Sequence, residues 1–464
     1  MKVGDLKSKK PSTIQRKFQK LFSKDRDFKE IAKGGSIAFL INLFGIVIGY
    51  LFVTLVSRIY KDSAASIYGQ YVLITLLLRI GSIVTRFGTD TAMLRLTAAF
   101  ATQNLWGNII DARNKLLKIL FSFGLLVTLG MVLFSNQWGA IFKISGETIR
   151  IGSFFIIPMA LALFFSQSLR GLKKVGISSF LRNSAMPVIN FILLPIGVLL
   201  VSKNSEYYSH LPSYTFFAAV IISLFIGFYF WNKAVPKNEI LKVEEEHYKT
   251  VKNLFSSSYP LLLAESMIFI GTWVDQLMLG AMGNNEDVGI FNLCVKYAMV
   301  SSLSLQAVNT ISAPKFSEYF FKKDYSGLAT TVKQTTKIIF YTTLPIVILY
   351  LIFPHFFLGL FGDSFTKGTM AFVFLAIGSL VSVMTGSVGV LLQMTGHQKV
   401  VQNILLVSIV LEVLLNALLI PLLGVTGAAI ASMACTILKN LVMAYFVKKY
   451  FHFSSIYIPF ISKV

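Results

Sequence analysis

The sequence predicts an all-α integral membrane protein of about twelve transmembrane helices, arranged as two six-helix lobes related by a parallel pseudo-two-fold repeat. Three observations carry that prediction. First, 55% of the residues are hydrophobic and 14% charged, with a mean hydropathy of +0.69, whereas soluble domains carry about 25% charged residues. A soluble core of this length cannot absorb so much apolar surface, so the surrounding medium must be lipid. Second, apolar runs of spanning length recur along the chain. Third, the chain reads as one half written twice.

The runs lie at about 37–57, 68–88, 116–135, 149–169, 180–201, 214–235, 258–282, 288–311, 338–353, 370–392, 402–423 and 425–447. The first, Ile37–Val56, is long enough to span and comes after a long basic segment, which reads as a membrane span rather than a secretory signal. The ninth is short. The eleventh and twelfth are separated only by Pro421 to Gly424. Residues 1–33 are polar with an apolar stripe of Ile14, Phe18, Leu21 and Phe22 at helical spacing. That stripe fits an amphipathic helix on anionic lipid, or a solvated basic tail that only fixes topology. The chain accordingly divides into a basic segment 1–33, a first lobe 34–236, a linker 237–253, a second lobe 254–447 and a tail 448–464.

The repeat rests on three matches. Arg170-Gly171-Leu172-Lys173-Lys174-Val175 corresponds to Thr395-Gly396-His397-Gln398-Lys399-Val400, with Gly171 and Gly396 225 residues apart. Asn190 through Pro195 corresponds to Asn416 through Pro421 at 226, and Ser66-Ile67-Tyr68-Gly69 to Gly289-Ile290-Phe291-Asn292 at 223. An even number of spans per half inserts both halves the same way round, so the axis runs along the membrane normal. Two halves rocking about a central site give alternating access.

The formal charge is +22. Lys and Arg cluster in the N-terminal segment, in every even-numbered loop and in the tail (Lys448, Lys449), while Met282 to Asp287 has none. Such alternation expects both termini in the cytoplasm and accounts for the charge without nucleic acid. Cys294 and Cys435 fall inside apolar runs and read as small core residues without a disulfide framework. The chain has no Walker-type phosphate loop, no His-Glu-x-x-His and no Gly-x-Ser-x-Gly, and its five histidines lack metal-ligand spacing. No cofactor is expected, and the protein is read as a non-enzyme.

Ionisable residues within spans are costly and therefore candidates for function. Arg79 lies near the middle of the second run without a carboxylate at helical spacing; a buried pair and an anion-facing cavity are both open to it. Arg86 lies further along the same face, roughly 10 Å away, and Asp90 at i+4 could pair with it. Asp275 and Lys296 are equidistant from the tight Asn284-Asn285-Glu286 loop, hence at equal depth in a helical hairpin, and are expected to form an ion pair. Glu265, about 15 Å below Asp275, is a candidate H⁺ or Na⁺ coupling site, or a partner for a cation of the other half such as Arg79. Glu412 and Lys439 stay unassigned.

The chain resembles the polysaccharide-type flippases of the multidrug/oligosaccharidyl-lipid/polysaccharide (MOP) exporter superfamily, the Wzx-like O-antigen and teichoic-acid transporters. Carrying residues are Tyr68-Gly69-Gln70-Tyr71, Arg170-Gly171, Val274 through Gly280, Val288-Gly289-Ile290-Phe291, Ala313-Pro314, and Leu415-Asn416 through Pro421 to Ala431. The match covers nearly everything past Lys33. The resemblance implies two lobes forming a V around a central cavity, and transport of undecaprenyl-diphosphate-linked oligosaccharide between leaflets of a bacterial cytoplasmic membrane. The partners it implies are that lipid-linked oligosaccharide, membrane lipids and polysaccharide polymerase machinery. It also implies that cavity cations hold the diphosphate, a role that Arg79 and Arg86 suit as bidentate donors. Related drug exporters use a seventh-helix Glu after a Pro for cation coupling, and Pro260 and Glu265 resemble that arrangement. The lipid II branch carries two further helices, and this chain ends soon after its twelfth run. Two alternatives stay open: a multidrug/cation antiporter of the same superfamily, which would need an acidic aromatic cavity, and a membrane polysaccharide polymerase or ligase, which would need a sizeable extracytoplasmic loop.

Overall fold

The computed structural model describes residues 26–236 and 251–457, with side chains described from Gly35 in the first stretch and, except Ile268, from Ser266 in the second. The expected amphipathic stripe at 14–22, most of the inter-lobe linker and the last residues of the tail lie outside the described residues. So does the side chain of Glu265.

Among the described residues the structure is helical, without strands. Six stretches are long and apolar enough to cross a membrane, and nine if each bent pair is one span. Two of them hold two spans each. Gly35–Arg86 contains the first span, Arg26–Tyr60, and Ala64–Arg86, joined by a 3₁₀ turn at Lys61–Ser63. Gln398–Phe451 breaks at Gly424 (φ 55°, ψ −130°) into the eleventh and twelfth spans. With Val251–Met282 as the seventh, the spans number twelve. The rest are Trp106–Leu133 (third), Gly146–Ser153 with Ile156–Gly171 (fourth), Val175–Leu200 (fifth) and Glu206–Ala234 (sixth). In the second lobe they are Asn285–Ser301 with Leu303–Phe321 (eighth), Tyr325–Ile352 (ninth) and Thr369–Thr385 with Val388–Met394 (tenth).

The third and ninth helices start well before their apolar runs. Arg113, Lys115 and Lys118, and likewise Lys333 and Lys337, interrupt the hydropathy but not the backbone hydrogen bonding, so each helix projects past the bilayer with a charged first half. The second span is broken in mid-course: Phe87 (φ 45°) and Gly88 (φ 72°) are both left-handed, and a new helix, Thr89–Ala101, continues it. A left-handed Phe is a sterically unfavourable choice that only surrounding structure can hold. The last helix runs through Phe451, and the chain then folds back onto the second lobe, where the Tyr457 amide donates to the Met384 carbonyl at 2.9 Å.

The hydrophobic cores show how the lobes meet. One cluster runs through both, from Phe52, Tyr68 and Leu73 of the first lobe to Phe291, Phe365 and Phe372 of the second. Toward the basic loops the cores are separate: Met93, Leu116 and Trp231 belong to one, Phe316, Leu391 and Val447 to the other. The lobes are thus joined at one end and independent at the other, the V that the resemblance implied.

At the joined end the second and eighth helices cross backbone to backbone. A Cβ on Gly69 would overlap the Asn285 carbonyl, and one on Gly289 would overlap the Ala65 carbonyl. The contact is reciprocal, so Ala65 and Gly69 correspond to Asn285 and Gly289, 220 residues apart rather than the 223 read from sequence. The basic turns shift likewise. Lys173 (φ 60°) and Gly396 (φ 82°) occupy the same left-handed position, each succeeded by an amide that bonds five residues back (Lys174 to Leu169, His397 to Leu392). Gly396 therefore matches Lys173, not Gly171.

Polar bonds complete the seam. Tyr68 donates its hydroxyl to Asn292 Oδ1 at 2.6 Å, Asn285 Nδ2 donates to the Lys143 carbonyl at 2.7 Å, and Ser57 donates to the Phe361 carbonyl.

Candidate functional site

Below the seam a cavity of about 250 Å³ lies between the first lobe and the seventh helix. The second span contributes Arg79, Ile83, Arg86 and Asp90; the fourth contributes Met159, Leu163 and Gln167; the fifth Arg182, Asn183 and Met186; the seventh Phe269, Thr272 and Trp273. Three arginines and one aspartate line it.

Arg86 and Asp90 form an ion pair across the break in the second span, with the Arg86 Nε also donating to the Ser82 carbonyl at 3.3 Å. Both residues are buried, so this pair is fixed in place and neutral overall. The pairing expected at i+4 is present even though the helix is interrupted between the partners. The break itself serves the site: a discontinuous helix at membrane depth is tolerated where it lines a cavity.

Arg79 differs. Its guanidinium carbon stands 5.9 Å from the Trp273 ring centroid, and among the described residues it has no carboxylate partner. An aromatic face holds a guanidinium by cation–π attraction without neutralising it, so the charge stays available to an anion.

Arg182 was not singled out by the sequence, where it counted among the basic residues of a loop. It sits in a π-helical turn, Phe180–Ser184, at the start of the fifth span, with an exposed side chain. Around it, Asn183 Nδ2 donates to Asn42 Oδ1 at 2.7 Å and Ser184 donates to the Ile41 carbonyl at 2.9 Å. Both bonds reach the first span, where the missing Cβ of Gly45 admits Ser184. A π turn adds a residue to the turn and re-aims the side chains beyond it. No hydropathy signal reveals such a turn, which is why Arg182 was missed.

The expected ion pair between Asp275 and Lys296 does not form. Asp275 accepts a hydrogen bond from Asn416 Nδ2 at 2.6 Å and also bonds Ser432 and Glu412. Lys296 points the other way, across the lobe interface: its Nζ donates to the Gly49 carbonyl at 3.0 Å and lies 5.2 Å from the Tyr68 ring centroid. Equal depth in a hairpin fixes height but not azimuth. The seventh helix turns Asp275 toward the eleventh and twelfth spans, while the eighth turns Lys296 toward the first.

Asp275 thus belongs to a polar cluster inside the second lobe. It is 8% exposed, Glu412 6% and Asn416 0%, and Lys439 lies within electrostatic reach of both carboxyls. Glu412 and Lys439, unassigned from sequence, find their place here. Among the described residues no group of His, Cys, Asp and Glu could by itself hold a metal ion.

Comparison with known proteins agrees with this architecture. Residues 31–320, well over half the chain, match the family model "Polysaccharide biosynthesis protein", and residues 260–418 match the MatE model. The chain is 22% identical over 430 residues to the probable low-salt glycan biosynthesis flippase Agl15 of Haloferax volcanii, covering 91% of this chain and 84% of that one. Its fold is similar to an inward-facing multidrug resistance MATE family transporter of the MOP superfamily. The TM-score is 0.71 at 13% identity, over 89% of this chain and 98% of that one. It is also similar to a MOP superfamily transporter of Pyrococcus furiosus whose binding pocket is described as of reverse polarity. There the TM-score is 0.61 at 15% identity, over 91% of this chain and 96% of that one. Twelve spans in two lobes, a cation-lined cavity and these matches together show that the chain belongs to the polysaccharide biosynthesis protein family, the polysaccharide flippases of the MOP transporter superfamily.

Proposed function

We propose that this flippase carries undecaprenyl-diphosphate-linked oligosaccharide from the inner to the outer leaflet of a bacterial cytoplasmic membrane, for surface polysaccharide synthesis. One observation carries the reading: Arg79 projects an uncompensated guanidinium into a cavity whose single aspartate is already taken by Arg86. Such a cavity suits a phosphorylated headgroup and disfavours a cationic drug, which would meet net positive charge. Charge-assisted bonds from arginine to phosphate oxygens are among the stronger polar contacts available. The lipid tail would stay in the bilayer while the head crosses.

The basic loops lie toward the end where the lobes separate, and the positive-inside rule places that end, with both termini, in the cytoplasm. The shape described is then the state that takes cargo from the inner leaflet. The carboxyl cluster suits coupling to H⁺ or Na⁺. Two carboxyl groups in hydrogen-bond contact share a proton, because two adjacent carboxylates repel. Asp275 and Glu412 thus join Glu265 as candidates for that role. Polysaccharide polymerase machinery is the expected downstream partner.

The test is a deletion strain. Accumulation of lipid-diphosphate oligosaccharide on the cytoplasmic leaflet, with loss of surface polysaccharide, is the expected result. An intact surface with raised sensitivity to cationic dyes would replace this reading with the drug antiporter.

A further inference from the structure

The wall of the cavity opposite the free arginine holds two acceptors with nothing to accept from. Asp90 is 0% exposed and gives one carboxylate oxygen to Arg86; its Oδ1 is buried and has no hydrogen-bond partner among the described residues. Gln167, on the fourth span, is 6% exposed, and its Oε1 is likewise buried and unpartnered. Both residues line the same cavity. A buried acceptor left unmade is costly, so a site that keeps two of them normally meets a ligand or an ordered water.

The neighbouring charges decide what kind of ligand. A metal cation beside Asp90 would stand next to the Arg86 guanidinium, with Arg79 and Arg182 on the same cavity wall, and three like charges oppose it. An anion is excluded by the acceptors themselves. What remains is a neutral donor, and a glycan presents many hydroxyls and amide N–H groups. We propose that Asp90 Oδ1 and Gln167 Oε1 form a sugar-reading subsite that accepts hydrogen bonds from the glycan unit next to the phosphate. Arg79 and Arg182 hold the phosphate beside it. The inference rests on the flippase reading above and adds to it a basis for discriminating among glycans: a site built to bond donors rejects a headgroup that lacks them.

Gln167→Met tests it best, since it keeps length and packing, removes the acceptor and leaves the Arg86–Asp90 pair intact. Binding of two probes to the purified full-length protein would be compared, geranylgeranyl diphosphate without sugar and the same lipid diphosphate carrying one N-acetylhexosamine. The expected result is a selective loss of about five- to ten-fold for the sugar-bearing probe, with the sugar-free probe unchanged within two-fold. Arg79→Ala should weaken both probes alike. Equal loss of both probes in Gln167→Met, or loss of neither, would overturn the subsite; the latter would mean that only water meets these oxygens. A wild-type protein that binds neither probe would instead overturn the flippase reading, and the subsite with it. Gln167→Leu serves as a second variant should Gln167→Met not purify, with the same ratio read from it.

Discussion

The two lobes share one backbone plan and carry opposite chemistry. In the first, the second span breaks at Phe87-Gly88 and presents arginines to a cavity, one of them without a carboxylate among the described residues. In the second, the eighth span bends at Ser302, and the charged residues turn away from the cavity into the lobe, where Asp275, Glu412, Asn416 and Lys439 satisfy one another. A charge that faces a cavity unpaired is poised for a ligand. A buried carboxyl pair is poised for something small enough to reach it, a proton or a bare cation. The difference teaches how a duplicated bundle divides labour: one copy meets the cargo, and the other meets the ion that drives it.

The sharpest way to break that comparison is at Arg79. Arg79→Ala should lower affinity for the lipid-linked glycan about 10- to 100-fold, the value of one to two charge-assisted bonds. Arg79→Lys should keep part of it, since charge survives and the bidentate fork does not. Titration of purified protein with the labelled lipid would measure both. Equal affinity in Arg79→Ala and wild type would remove the residue from the site.

Glu412→Gln probes the other lobe. Gln preserves a hydrogen bond toward Asp275 but carries no exchangeable charge. Cargo affinity should stay within about two-fold, while stimulation of transport by an imposed ion gradient disappears. Proteoliposomes with and without H⁺ and Na⁺ gradients would show it; an intact gradient response would take the carboxyl cluster out of coupling.

Gly289→Ala addresses the seam between the lobes. Overlap of the new methyl with the Ala65 carbonyl should cost about 1–3 kcal/mol and loosen the joined end. Cys294, fully buried beside this seam, should then react faster with a thiol reagent. Gly130→Ala, where nothing lies within 4 Å, is the neutral control.

The smallest effect lies outside the membrane. Asp324 caps the ninth span, accepting from the Gly327 amide and the Ser326 hydroxyl, and these bonds hold its carboxyl below the usual range. Its capping contribution is full above the ordinary aspartate range near pH 4 and fades as pH falls through the lower folded-state value. Asp324→Asn should show slightly less loss of thermal stability than wild type on acidification, read as melting temperature against pH.

Much of this was legible in the amino-acid order, for reasons that separate the kinds of signal. Hydropathy is a sum over a window, so the twelve spans and basic loops survive errors at single positions. Arg79 and Arg86 stood out because an arginine inside an apolar run has few innocent explanations. The repeat was visible but its register was off. Aligning Gly171 with Gly396 assumed that glycine marks the left-handed turn position in both halves, and Lys173 fills it in the first. The Asp275–Lys296 pairing failed because depth is set by residue spacing, whereas direction depends on how each helix is rotated by its neighbours. Arg182 and Gln167 were beyond reach for a related reason. A π turn re-aims the one, and the other is ordinary in sequence until the break in the second span brings Asp90 to the same cavity.

The most direct test of the central claim tracks leaflet location of the lipid-linked glycan in cells expressing only Arg79→Ala or only Arg79→Lys. The predicted result is accumulation on the cytoplasmic leaflet with Arg79→Ala, at unchanged protein level in the membrane, and partial relief with Arg79→Lys. Normal leaflet distribution and surface polysaccharide with Arg79→Ala would contradict it, and would move the cargo site out of the first lobe's cavity.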